Sequence, residues 1–185
     1  AVEEADMAEV RAQMETNFFG ALALTQAVLP VMRRQRSGHI IQISSQAGVS
    51  STPGMGIYNA SKHALEGFSE ALHGEVATLG IHVTLVEPGP FRTLWAGPSM
   101  HYAATRIPDY ASATDGIRAR FENTGPWQPG DPERAAQAIV RMAATATPPL
   151  RLPLGAVAVA TLRKKLERVA ADENACEYVA KDADF

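Results

Sequence analysis

The chain has 185 residues, with 17 basic and 20 acidic side chains and a net charge of −3, which suits one domain and argues against an electrostatic nucleic-acid binder. No apolar run reaches the length of a membrane span, and the opening residues do not resemble a secretory signal. Cys176 is the single cysteine, so an intrachain disulfide is excluded and a reducing, cytoplasmic setting is expected.

Ala1 to Asp6 bring acidic residues into a helix whose apolar face is Met7, Val10 and Met14; negative charge suits a helix N-terminus. The helical pattern continues through Phe18, Leu22, Leu24, Ala27 and Val28 and ends on Arg33, Arg34 and Arg36, a solvated basic end. His39 to Ile43 is short and isoleucine-rich and reads as a buried strand of a parallel sheet. A turn from Gly48 to Gly56 contains Gly54-Met55-Gly56, and a helix marked by Ala60, Ala64, Leu65, Phe68, Ala71 and Leu72 follows. Ile81 to Val86 is a second buried strand, stopped by Glu87-Pro88-Gly89-Pro90. Strand, helix and strand in this order imply a parallel pair with a right-handed crossover.

From Leu94 to Gly130 the sequence reads as irregular, with Pro98, Pro108, Pro126 and Pro129 among Trp95, Tyr102, Tyr110, Phe121 and Trp127. Asp131-Pro132-Glu133 starts a helix with a cap, a proline in the first turn and an acid beside it; it runs towards Thr145. Arg151 to Leu154 is a short strand that tolerates proline near a sheet edge. In the tail, 156–185, Leu162, Leu166 and Val169 mark one face of a charged amphipathic helix. The five histidines show no metal-ligand spacing, so no metal is expected.

The chemistry is concentrated at Tyr58 and Lys62, four residues apart and so on one helical face, with Ser45 at the end of the preceding strand. Tyrosine ionises near pH ~10, and a nearby ammonium is expected to lower that value. Ser45 supplies a hydroxyl to polarise a carbonyl. Ligands of parallel sheets bind beyond the carboxyl ends of the strands, where Ser45 and Pro88-Gly89 both fall.

The pieces Thr16-Asn17-Phe18-Phe19-Gly20, Ile43-Ser44-Ser45-Gln46-Ala47-Gly48, Tyr58-x-x-x-Lys62 and Pro88-Gly89-Pro90-Phe91-Arg92-Thr93 resemble the short-chain dehydrogenase/reductase family in order and spacing, from about Glu4 to Leu154. The resemblance implies an α/β fold with a doubly wound parallel, Rossmann-like sheet. It implies an oxidoreductase interconverting an alcohol and a carbonyl of a small molecule with NAD or NADP. Tyr58 would be the general acid/base, and Lys62 would tune it and hold the nicotinamide ribose. Ser45 would polarise the substrate oxygen, and Asn17 would hold a water linking the lysine to solvent. Pro88, Gly89 and Thr93 would contact the carboxamide. Residues 94–130 would form a substrate lid, and the two helices flanking the first strand, through Phe18, Leu22, Leu24, Ala27, Val28, Ala64, Phe68, Ala71, Leu72 and Val76, would pair subunits in a homodimer or homotetramer.

The family's glycine-rich phosphate loop has no counterpart: Gly54-Met55-Gly56 lacks a third glycine and precedes Tyr58. The expectation is therefore one partial domain over 1–185, its sheet incomplete at the N-terminus and its activity in isolation doubtful. The alternatives are a non-catalytic truncated remnant and a sugar-nucleotide epimerase or dehydratase on the same fold.

Overall fold

The computed structural model describes residues 1–97, 100–123 and 128–183; Pro98, Pro126 and Trp127 of the proline-rich excursion lie outside them. Three strands, β1 (Gly38–Ile43), β2 (Ile81–Pro88) and β3 (Arg151–Leu154), form a parallel sheet in the order β1-β2-β3. Ile40 stands opposite Val83, Gln42 opposite Leu85, and Val86 opposite Leu152. The α/β reading and all three strands hold.

One long helical run precedes the sheet: α1 (Met7–Met14), a wider π-type turn at Glu15–Phe19, and α2 (Gly20–Gln35). Asp6 caps α1 by accepting from the Ala8 amide at 2.6 Å, as its short acidic side chain allows. The expected apolar face is not buried at its start, since Met7 is largely exposed. Arg36, at the left-handed end of α2, donates to the Thr78 carbonyl at 3.1 Å. The basic cluster thus fastens two helix ends together as well as facing solvent.

Helix α3 (Gly56–Val76) crosses from β1 to β2. The core lies beneath it: Ile40, Leu72, Val76, Ile81 and Val83, with Leu29, Met32 and Phe68 packed against them. Successive strand residues alternate in facing, so Val83, Leu85 and Glu87 share one side of β2. Leu72 and Val76 are spent on this core and are unavailable to a partner subunit, which corrects their place in the expected pairing face; Met7, Phe19, Leu24 and Val31 are the exposed large apolar residues of the first helical run. β1 is an edge strand among the described residues, and Ile43 at its end is 54% exposed. The expectation of a fully buried strand fails there because nothing described covers that side.

The excursion is not irregular throughout. Residues Pro108–Tyr110 form a 3-10 turn and Ala111–Glu122 form α4; Arg106–Asp115 and Arg118–Glu122 pairs sit along it. Its base is closed by a bridge between Phe91 and Gly130, with the Arg92 amide donating to the Gly130 carbonyl at 3.0 Å and the Gly130 amide to Pro90 at 3.1 Å. Helix α5 (Pro132–Ala143) starts on the Asp131 cap as its sequence implies. Helix α6 (Ala156–Lys181) is anchored by Ala158, which is fully buried, while Leu166, Val169 and Tyr178 are exposed. Beyond Leu162, which is half-buried, its apolar stripe is exposed.

Two glycines meet opposite local constraints. Gly80 has a positive φ of 69°, and a Cβ there would collide with the Arg36 carbonyl. Gly67, inside α3, has open space around it. Gly67→Ala is expected to raise stability by about 0.5–1 kcal/mol, and Gly80→Ala to lower it by more than about 1 kcal/mol, both read from urea unfolding midpoints.

Candidate active site

The rim at the carboxyl ends of β1 and β2 is assembled by short-range constraints. Beyond β1, Ser45 is extended and its hydroxyl oxygen accepts the Ala47 amide at 3.1 Å, capping the 3-10 turn Gln46–Gly48. That bond occupies a lone pair and leaves the O–H free to donate. Asn59, one residue after Tyr58 and buried, donates to the Ala47 carbonyl at 2.9 Å and accepts the Thr52 amide at 3.2 Å. The start of α3 is thereby sewn to the turn that carries Ser45.

Lys62 sits one helical turn beyond Tyr58, and its ammonium donates to the Ile43 carbonyl at 2.8 Å. Burial lowers the Lys62 pKa, and the neighbouring Glu66 charge opposes that shift. Burial also raises the Tyr58 pKa, partly offset by a hydrogen bond with Ser45. The expected lowering of Tyr58 by Lys62 is thus overturned in direction: desolvation of the phenolate dominates, and the group that pulls the value down is Ser45.

Asn17 lies in the π-type turn, a local irregularity often found at functional positions. Its side-chain amide donates to the Ser61 hydroxyl at 3.0 Å, and Ser61 donates to the Tyr58 carbonyl at 2.7 Å. It therefore braces the first turn of α3 from outside and does not merely satisfy its own helix. Gly89 extends β2 by donating to the Leu154 carbonyl at 3.0 Å; a Cβ there would press on the Ala158 amide and Gln46. Thr93 is exposed, and its hydroxyl accepts the Trp95 amide at 3.4 Å.

A cleft of about 610 Å³ opens beside Tyr58, walled in part by Asn17, Trp95, Met100, Ile117 and Phe121. Trp95 lies 5.3 Å from the Tyr58 ring and 5.4 Å from Phe121, centroid to centroid. Tyr58 and Asn17 reach this cleft; Ser45, Lys62, Pro88, Gly89 and Thr93 do not line it. Tyr58 is where the cleft meets the polar rim. The sequence places Trp95 in the excursion but gives no sign of its tilted ring contact with Tyr58. It also missed Glu66, Glu87 and Arg151, which pair beneath the rim: Arg151 donates to Glu66, to Glu87 at 2.8 Å and to Glu70 at 2.8 Å. The four-residue step from Lys62 to Glu66 was the available signal. No cluster of potential metal ligands occurs among the described residues.

Residues 1–101 match the family model described as short chain dehydrogenase. The chain is 40% identical over 159 residues to a 3-ketodihydrosphingosine reductase of Bacteroides thetaiotaomicron, covering 84% of this chain and 58% of the relative. It is 36% identical over 160 residues to retinol dehydrogenase 8 of Bos taurus, covering 81% and 50%. The chain thus spans little more than half the length of these relatives. A solved short-chain dehydrogenase from Streptomyces avermitilis superposes with a TM-score of 0.90 at 41% identity, over 100% of this chain and 66% of the other. With the family model matched across the segment that carries Asn17, Ser45, Tyr58 and Lys62, the chain belongs to the short-chain dehydrogenase family.

Proposed function

We propose that this chain carries the proton-transfer half of an oxidoreductase site that interconverts an alcohol and a carbonyl, with Tyr58 as the general acid/base. The observation that carries the reading is the placement of Tyr58, hydrogen-bonded with Ser45, at the junction of an aromatic-lined cleft and the strand ends. The single Ser45 O–H, directed to Tyr58 in the free site, turns to the substrate oxygen when substrate binds, while one of its lone pairs stays engaged by the Ala47 amide. Tyr58 gives that oxygen its proton in reduction and accepts it in oxidation. A phenol whose pKa burial has raised is protonated at neutral pH, so it stands ready as the acid for carbonyl reduction.

The hydride comes from a nicotinamide cofactor in this reading. The rim fits the ribose end of such a group: the Lys62 ammonium has three donors and spends one on Ile43, beside an exposed strand end. Pro88, Gly89 and Thr93 are the residues proposed to meet the nicotinamide side. The pyrophosphate end finds no glycine-rich cradle among the described residues, and NAD and NADP are equally compatible with the rim. The excursion 94–130 is proposed to cover the substrate, with Trp95 and Phe121 as its apolar inner face. Among the charged wall residues Arg106 and Asp115 pair with each other, Arg118 pairs with Glu122 and lies 4.4 Å over the Tyr102 ring, and Glu4 and Glu9 accept the Ile107 and Asp6 backbone amides. An uncharged substrate with an apolar body suits that lining.

Tyr58→Phe, in the longest active form of the protein, is expected to reduce alcohol–carbonyl turnover by about 10²–10⁴-fold while leaving the circular dichroism spectrum unchanged. Activity within threefold of the parent would remove Tyr58 from the reaction. Lys62→Met removes the ammonium proposed to hold the cofactor ribose, so the KM for the nicotinamide cofactor is expected to rise by about tenfold or more while the basic limb of the pH–rate profile, set by Tyr58, its burial and Ser45, stays in place. A basic limb that moves upwards would show that Lys62, and not Ser45 alone, holds the Tyr58 value down.

A further inference from the structure

Glu66 and Glu87 are buried carboxyl groups that the proposed reaction does not use. Glu87 is fully buried on β2 and Glu66 is 4% exposed on α3, and an oxygen of each contacts the same Arg151 nitrogen, Nη1, which brings the two carboxyls together. One cation, Arg151 at the start of β3, contacts both. Its remaining bond goes to Glu70, which is largely exposed. After these contacts one oxygen of each buried carboxyl, Glu66 Oε1 and Glu87 Oε2, has no other partner.

Two ionised carboxylates are acceptors only, and two acceptors cannot satisfy each other. Two buried negative charges against a single arginine also repel and are poorly solvated. One proton removes both difficulties: a protonated carboxyl donates to its ionised neighbour, and one anion remains for Arg151. Burial raises the Glu87 pKa, the Glu66 charge pushes it the same way, and Arg151 opposes the shift. Gly48 closes over the Glu66 side of the pair, since a Cβ there would strike the Glu66 Cγ and the Ser44 hydroxyl.

We propose that Glu66 and Glu87 share one proton under the Arg151 clamp, and that the anion left on the pair, one helical turn from Lys62, keeps that amine charged at the rim. Both are positioning residues, acting through Lys62; this last step rests on the role given to Lys62 above. The charged groups facing the pair are Lys62 and Glu70 on α3 and Arg151 on β3. The unpartnered Ser44 hydroxyl approaches the same Gly48 position from β1.

Carbon-13 NMR of the chain labelled at glutamate side-chain carboxyls tests the shared proton. A carboxyl signal that stays protonated at neutral pH is expected in the parent and is lost in Glu66→Gln and in Glu87→Gln. Its absence from the parent overturns the proposal. Nitrogen-15 NMR of lysine-labelled protein, with Lys62 assigned by its loss in Lys62→Met, tests the coupling. The Lys62 titration midpoint is expected to fall in Glu66→Gln and to hold in Glu87→Gln, which preserves the Glu66 anion. An unmoved midpoint in Glu66→Gln overturns the coupling, and Glu66→Met serves where glutamine is not tolerated. Neither readout uses turnover, so a failed dehydrogenase reading and a failed acid pair give different results.

Discussion

The bond from the Lys62 ammonium to the Ile43 carbonyl ties α3 to the carboxyl end of β1, and the geometry of the rim depends on it. A lysine aliphatic stem can lie along apolar surface while its head stays polar. Here the head closes over the last carbonyl of an edge strand, where no further strand among the described residues accepts or donates. The same helix carries Tyr58 one turn earlier, Asn59 bound to the Ser45 turn, and Ser61 bound to Asn17. Polar contacts from Asn59, Ser61 and Lys62 therefore fix the first two turns of α3. The remaining turns, through Leu65, Leu72 and Val76, supply the apolar anchoring.

This division explains an unusual feature of α3. Asn59, Ser61, Glu66 and Ser69 are all buried on a helix that also contributes to the hydrophobic core. Buried polar groups are costly unless bonded, and Asn59 and Ser61 are bonded to the Ser45 turn and the Asn17 brace. The burial that holds them also disfavours charge at both Tyr58 and Lys62. Ser45 and Glu66 act in the opposite sense, each on one member of the pair. The charge states at the rim follow from the balance between desolvation and these two neighbours.

Much of this was legible from residue order. The strand-ending Ser44-Ser45, the Tyr58–Lys62 step and the Asp131-Pro132 helix start depend on local chemistry, and each appears where its pattern placed it. The irregular reading of 94–130 failed because scattered prolines masked the helical stretch Ala111–Glu122, whose ends are held by ion pairs and by aromatic contacts distant in sequence. The pairing faces were overread because Leu72 and Val76 cannot be told from interface residues until the register of α3 on the sheet is known. The Glu66–Glu87–Arg151 cluster joins residues from three elements, 85 positions apart at the widest, and no local pattern announces it. The sign of the Tyr58 shift was missed because charge proximity is visible in spacing whereas burial is not.

Burial, opposed by Ser45, sets the proton state of Tyr58. Carbon-13 NMR of the chain labelled at the tyrosine phenolic carbon, with Tyr58 assigned by its loss in Tyr58→Phe, measures this directly. Tyr58 is expected to titrate above the ordinary tyrosine value of about 10 and to move higher still in Ser45→Ala. A Tyr58 midpoint at or below that value, or one that Ser45→Ala leaves in place, would contradict this balance.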